Sequence, residues 1–149
     1  MSGTVLFTGT ATAIGGRNGH SQTSDGSVSV DLGMPKNGVL EPGMTTPEHL
    51  FATGYAACFG SAVEAVGHQK KLDVTGAAVT VAVSLVKGDD GFSLAAKLSL
   101  KAPTLTAEQT QEVLEAAHQM CPYSKATRGN IPVESQRGVR GVERTTSPN

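Results

Sequence analysis

The run from Thr46 to about Lys71 constrains this chain more than any other segment. Thr46-Pro47-Glu48 combines a hydroxyl able to cap a helix, a proline at the first helical position and an acid in the first turn. All three act on the unpaired N–H groups and the dipole of a helix N-terminus. Leu50, Phe51, Gly54, Tyr55, Ala57, Cys58, Ser61, Ala62, Ala65 and Val66 then place apolar or small residues around most of the circumference. Such a helix has no broad polar face to give to water, so other elements must enclose it.

The flanking sequence predicts that enclosure to be mostly sheet. Residues 73–86 and 92–102 alternate well (Val79, Val81, Val83, Leu85; Phe92, Leu94, Ala96, Leu98, Leu100) on either side of Lys87-Gly88-Asp89-Asp90-Gly91 and predict a β-hairpin. Gly3 to Ile14 reads as a strand ending at Gly15-Gly16, with Arg17 in the following turn, and Ser27 to Leu32 reads as a second strand that can pair with it. Residues 33–46 carry three Gly and two Pro and predict a long loop. Its Met34, Val39, Leu40 and Met44 would suit a lid packed over an apolar pocket. Thr106-Ala107-Glu108-Gln109 opens a second helix with Val113, Leu114, Ala117 and Met120 or Cys121 on its buried side, limited by Pro122. A last strand is expected over 130–137. The order strands, helix, hairpin, helix, strand is that of an α+β protein, with one domain over 1–138 and a polar tail over 139–149. With 4% aromatics and no Trp, the core must be aliphatic and closely packed.

A net charge of −1 gives no bulk attraction to nucleic acid or to an anionic membrane. The first residues lack the basic and apolar regions of a secretory signal, and no run is expected to approach the ~20 apolar residues of a membrane span. A cytoplasmic location is therefore expected, in which two cysteines 63 positions apart stay reduced at rest.

Taken singly, the candidate reactive residues have ordinary explanations. A cysteine inside a buried helix packs as a small apolar residue, and an arginine in a turn is usually solvated. Glu48 has a sufficient role in the first helical turn. His118 and Cys121 are spaced as half of a metal site, which would need two further ligands from His49, His68 or Cys58. A thiol becomes a peroxide-reducing nucleophile only where a cation or a helix N-terminus holds it as thiolate, and Arg17 is the candidate cation.

Residues 46–59 (TPEHLFATGYAACF) and 121–130 (CPYSKATRGN), with Gly15-Gly16-Arg17, closely resemble the organic hydroperoxide resistance branch of the Ohr/OsmC family. The resemblance extends to about Gly138, and Cys-Pro-Tyr-Ser favours this branch over the general OsmC one. It implies an OsmC-like fold, antiparallel β-sheets wrapped around two central helices in an intertwined dimer. It also implies that Cys58 is the peroxidatic cysteine, that Cys121 resolves it, and that Arg17, oriented by Glu48, activates Cys58. The implied substrates are alkyl, aryl and fatty-acid hydroperoxides, and the implied reductant is the dihydrolipoyl group of lipoylated proteins. No metal, flavin or haem is required, because sulfur carries the redox change. Thr46, His49 and Lys125 stand where family members commonly have Asn, Gln and Asn.

On one continuous helix, Glu48 and Cys58 are separated by roughly 15 Å along the axis and about 80° around it. One Arg17 head group cannot comfortably meet both. Either the helix breaks between them or Arg17 and Glu48 serve the Cys58 of another subunit, and the second option predicts an obligate homodimer. A redox sensor on the same fold and a metal-binding protein are the competing readings.

Overall fold

The computed structural model describes residues 2–138, so the expected tail over 139–149 lies outside the described residues. Two compact units are present, one ending at Leu50 and one beginning at Phe51.

The first unit is a small sheet of β1 (Ala11–Ile14), β2 (His20–Thr23), β3 (Ser29–Leu32) and β4 (Met44–Thr45), in that order, with a single 3-10 turn at Gly16–Asn18. This corrects the expected hairpin, because β2 lies between the two anticipated strands and pairs with both: Ala11 faces Thr23, and His20 faces Asp31. His-Ser-Gln-Thr has no apolar alternation and so gives no strand signal. Its placement comes from ladder bonds on both sides and from His20, whose Nδ1 lies 2.8 Å from Asp31 and Nε2 3.0 Å from Gln22. The turn between β1 and β2 requires glycine at position 19, since a Cβ there would run into the Ile14 carbonyl oxygen.

Two further expectations change in this unit. The strand begins at Ala11 instead of Gly3, and Val5, Leu6 and Phe7 ahead of it are 77%, 88% and 87% exposed. The 33–46 segment contributes β4, and its Met34, Val39 and Met44 are exposed rather than packed as a lid. β4 runs parallel to β3 because a long loop, not a tight turn, connects them.

Helix α1 spans Pro47–Lys70 without interruption. Thr46 caps it as expected, its Oγ1 accepting the His49 N–H at 3.1 Å. At the other end Lys71 adopts a left-handed φ of 58°, and the Leu72 N–H returns to the Gly67 carbonyl at 2.9 Å. Of the two arrangements weighed for Glu48 and Cys58, a break in the helix is not the one present.

The second unit holds most of α1, the hairpin β5 (Ala78–Gly88) and β6 (Gly91–Lys101), α2 (Ala107–Met120), a short α3 (Pro122–Thr127) and β7 (Val133–Arg137). The hairpin register, Leu85 facing Leu94 and Val81 facing Leu98, follows the alternation read from the sequence. Thr106 and Gln109 form a reciprocal capping box at the start of α2. β7 is parallel to β6, with Ala96 facing Val133, so the sheet is mixed rather than wholly antiparallel. The chain reaches β7 through α2 and α3, and a crossover of that length returns it in the same direction.

The core of this unit gathers Tyr55, Phe59, Ala62, Val63 and Val66 of α1 with Leu98 and Leu100 of β6 and Val113, Leu114 and Ala117 of α2. Each fully buried Leu or Val contributes roughly 1.5–3 kcal/mol. By length and composition α1 could cross a membrane, with a mean hydropathy of 1.2 over an 18-residue window, which corrects the expectation that no run comes near a span. Its buried stripe nevertheless packs into this core, which is the setting of a core helix.

Candidate active site

Cys58 lies on α1 and is half-buried, whereas Cys121 is fully buried. Cys121 is the residue at which α2 ends and α3 begins, with an extended backbone (φ −64°, ψ 125°). Both thiols are free and their sulfurs are 3.6 Å apart, with Cys121 donating toward Cys58. A disulfide needs about 2.05 Å between sulfurs, so closure asks for an approach of only about 1.5 Å.

Burial pushes the Cys58 thiol up from its ordinary value. The Tyr123 backbone N–H acts the other way by hydrogen bonding to it, and Cys121 adds to the rise. Pro122 occupies the first position of α3 and has no N–H, so Tyr123 supplies the first amide this helix can offer.

Arg17 and Glu48 form a two-pronged pair in the first unit. Nη1 donates to Oε1 at 2.8 Å and Nη2 to Oε2 at 2.7 Å. The guanidinium remains 37% exposed while Glu48 is 13% exposed. Hydrogen bonding to Arg17 holds the Glu48 carboxyl below its ordinary value, and the same bonds raise Arg17. A carboxyl depressed in the folded state adds stability that is complete above its unfolded value and fades as pH falls through the folded one. Thermal unfolding followed from neutral pH into acid is therefore expected to show a shallower acid limb for Glu48→Gln than for the wild-type protein.

Two of the positions that depart from the common family residues bond to each other beside this pair. Thr46 Oγ1 is 2.7 Å from His49 Nδ1, so the two substitutions work as one cap. Lys125, the third, is exposed on α3, whose Ser124 and Thr127 face inward.

Of the two phenylalanines of α1, one reaches the second cysteine motif and the other does not. Phe51 packs edge-on to Tyr123 at 6.0 Å between ring centroids, but Phe59 is fully buried in the core. Tyr55 and Tyr123, 5.6 Å apart, complete an aromatic cluster that sequence reasoning missed. A Cβ at position 54 would come within 2.7 Å of the Tyr123 hydroxyl, so a side chain there would have to displace the tyrosine ring. The signal for Tyr123 was its place within Cys-Pro-Tyr-Ser; nothing in the helix periodicity separated Tyr55 from the other apolar residues.

His118 donates to or accepts from Ser124 through Nδ1 at 2.8 Å. Among the described residues no three His, Cys, Asp or Glu side chains gather as metal ligands.

Residues 40–136 match the family described as OsmC-like protein. The chain is 44% identical over 132 residues to organic hydroperoxide resistance protein OhrB of Bacillus subtilis, covering 87% of this chain and 96% of that protein. It is 41% identical over 131 residues to the organic hydroperoxide resistance protein of Xanthomonas axonopodis pv. citri, covering 87% and 92%. Among solved structures, an organic hydroperoxide resistance protein from Legionella pneumophila superposes with a TM-score of 0.83 at 41% identity, covering 91% of this chain and 100% of that one. The crystal structure of the Bacillus subtilis OhrB superposes with a TM-score of 0.81 at 41% identity, covering 90% and 100%. With both cysteine motifs, the α+β architecture and near full-length coverage in agreement, the chain belongs to the organic hydroperoxide resistance branch of the OsmC family.

Proposed function

We propose that this protein is a thiol peroxidase that detoxifies organic hydroperoxides with Cys58 and Cys121. The observation that carries the reading is the pair of free sulfurs 3.6 Å apart, one from each of the two motifs that mark the family. The Cys58 thiolate attacks the distal peroxide oxygen, the O–O bond breaks, and the alkoxide leaves and takes up a proton as alcohol. Cys58 becomes a sulfenic acid. The Cys121 thiol then attacks that sulfur, forming the disulfide and releasing water. A dithiol, the dihydrolipoyl group of a lipoylated protein, returns two electrons and two protons.

Activation needs a cation, because burial works against the Cys58 thiolate. Arg17 supplies it, held by Glu48, and in this reading it does so for the Cys58 of a partner subunit. The unbroken α1 and the exposed Val5, Leu6 and Phe7 support an obligate homodimer, since consecutive exposed apolar residues need a covering surface. The protein acts in the cytoplasm, where thiol reductants are plentiful.

One equivalent of cumene hydroperoxide is expected to remove both thiols, and dihydrolipoamide to sustain turnover, with kcat/KM for cumene hydroperoxide at least about tenfold above that for hydrogen peroxide. Oxidation without sustained turnover would make the protein a redox sensor instead. Active monomers at assay concentration would refute the shared site.

A further inference from the structure

A buried hydroxyl lies at the centre of a hydrogen-bond cluster just beside the two cysteines. Ser124 Oγ is 2.9 Å from the Tyr55 hydroxyl and 2.8 Å from His118 Nδ1. Ser124 and Tyr55 are fully buried. The Tyr55 hydroxyl also lies 3.2 Å from Thr127 Oγ1, which donates to the Ser124 carbonyl at 3.2 Å. Tyr55 precedes Cys58 by three residues on α1, and His118 precedes Cys121 by three on α2. Residues three apart on a helix share a face, so Ser124 bridges α1 and α2 one turn away from where the sulfurs meet.

The bridge crosses a backbone junction that the helices themselves leave open. The Cys121 N–H bonds back to Ala117 at 2.8 Å and the Cys121 carbonyl accepts from Lys125 at 3.0 Å, so regular helical bonding reaches this residue from either side. Its own backbone is extended, and α3 has six residues. Ser124 to His118 and Arg128 Nη1 to the His118 carbonyl, at 2.8 Å each, tie the two sides together. Ser124 is the buried member of that pair and the one that also holds α1.

We propose that Ser124 is a positioning residue for disulfide closure: its hydroxyl, bonded to Tyr55 and His118, sets the approach of the Cys121 sulfur to Cys58. The proposal rests on the thiol peroxidase reading, since only a resolving cysteine needs its attack geometry held. With neutral His118, Tyr55 donates to Ser124 Oγ, and Ser124 donates to His118 Nδ1. The serine hydroxyl then both accepts and donates, and the Thr127 hydroxyl donates to the Ser124 carbonyl. The strut matters most after the first oxidation, when a sulfenic acid that waits for its partner is open to a second peroxide.

The test measures closure separately from the first oxidation in the full-length protein. Ser124→Ala and His118→Leu are expected to slow disulfide formation about ten- to a hundredfold, the cost of misplacing a reacting atom by about 1 Å. Both variants should accumulate Cys58 sulfinic acid, read by intact mass under excess cumene hydroperoxide, while the first oxidation stays within about twofold of wild type. His118→Asn, whose amide oxygen can stand where Nδ1 does, should restore fast closure. His118 is only partly buried, so its variants keep the test open if Ser124→Ala folds poorly. Closure at the wild-type rate in both variants, an equal fall in both steps, or a His118→Asn as slow as His118→Leu would overturn the proposal. Closure driven by diamide needs no peroxide site. Slow diamide closure in Ser124→Ala, together with a wild type inert to cumene hydroperoxide, would sink the peroxidase reading and leave the strut standing.

Discussion

Cys58→Ser is expected to lower steady-state reduction of cumene hydroperoxide by at least about 10³-fold, to the uncatalysed background. Serine nearly matches cysteine in size, and the Tyr123 N–H aimed at this position can bond its oxygen, so the fold survives. The chemistry does not, because an alcohol stays protonated at neutral pH and its oxygen is a poor nucleophile toward peroxide. Cys121 cannot take over, being fully buried. Cys121→Ser should behave differently: the first oxidation proceeds, the sulfenic acid persists and traps with dimedone, and dithiol reduction slows for want of a disulfide. Full activity in Cys58→Ser would end the mechanism.

Loss of the cation is the second large effect. Arg17→Ala is expected to reduce kcat/KM about 10²- to 10³-fold, comparable with removing one preorganised donor from a site where negative charge develops. Glu48→Gln keeps a hydrogen-bond acceptor but gives up the charge-assisted, two-pronged hold at 2.7 and 2.8 Å, and should cost about tenfold. The discriminating measurement is the pH dependence of Cys58 alkylation. In Arg17→Ala the thiolate should appear only at distinctly higher pH than in wild type, and Glu48→Gln should lie between. Unchanged alkylation profiles in both variants would remove the pair from thiol activation and leave it a structural role in its own unit.

Much of this was legible in order and type. The α1 cap at Thr46, the hairpin register from Val79 to Leu100 and the capping box at Thr106 are local signals, and each acts within a few residues of itself. Strand β2 was not legible, because His-Ser-Gln-Thr owes its conformation to neighbours on both sides. Helix α3 was read as a stop because Pro122 ends α2; the same proline is well suited to begin the next helix, and only the direction taken by the chain at Cys121 distinguishes the two. The parallel pairings of β3 with β4 and of β6 with β7 depend on where long connections return, which periodicity does not encode.

Cys58 marks the division most clearly. By itself the sequence determined that a long apolar helix carries this thiol, that the chain resembles a family in which such a thiol reacts with peroxide, and which four residues to watch. Tertiary structure decided that Cys121 comes within 3.6 Å of it, that the amide opposing its burial is that of Tyr123, and that Ser124 braces the junction. The physical reason is range. Caps, turns and alternation are set by contacts a few residues apart, whereas a sulfur pair 63 residues apart is fixed by how α1, α2 and β6 share one core.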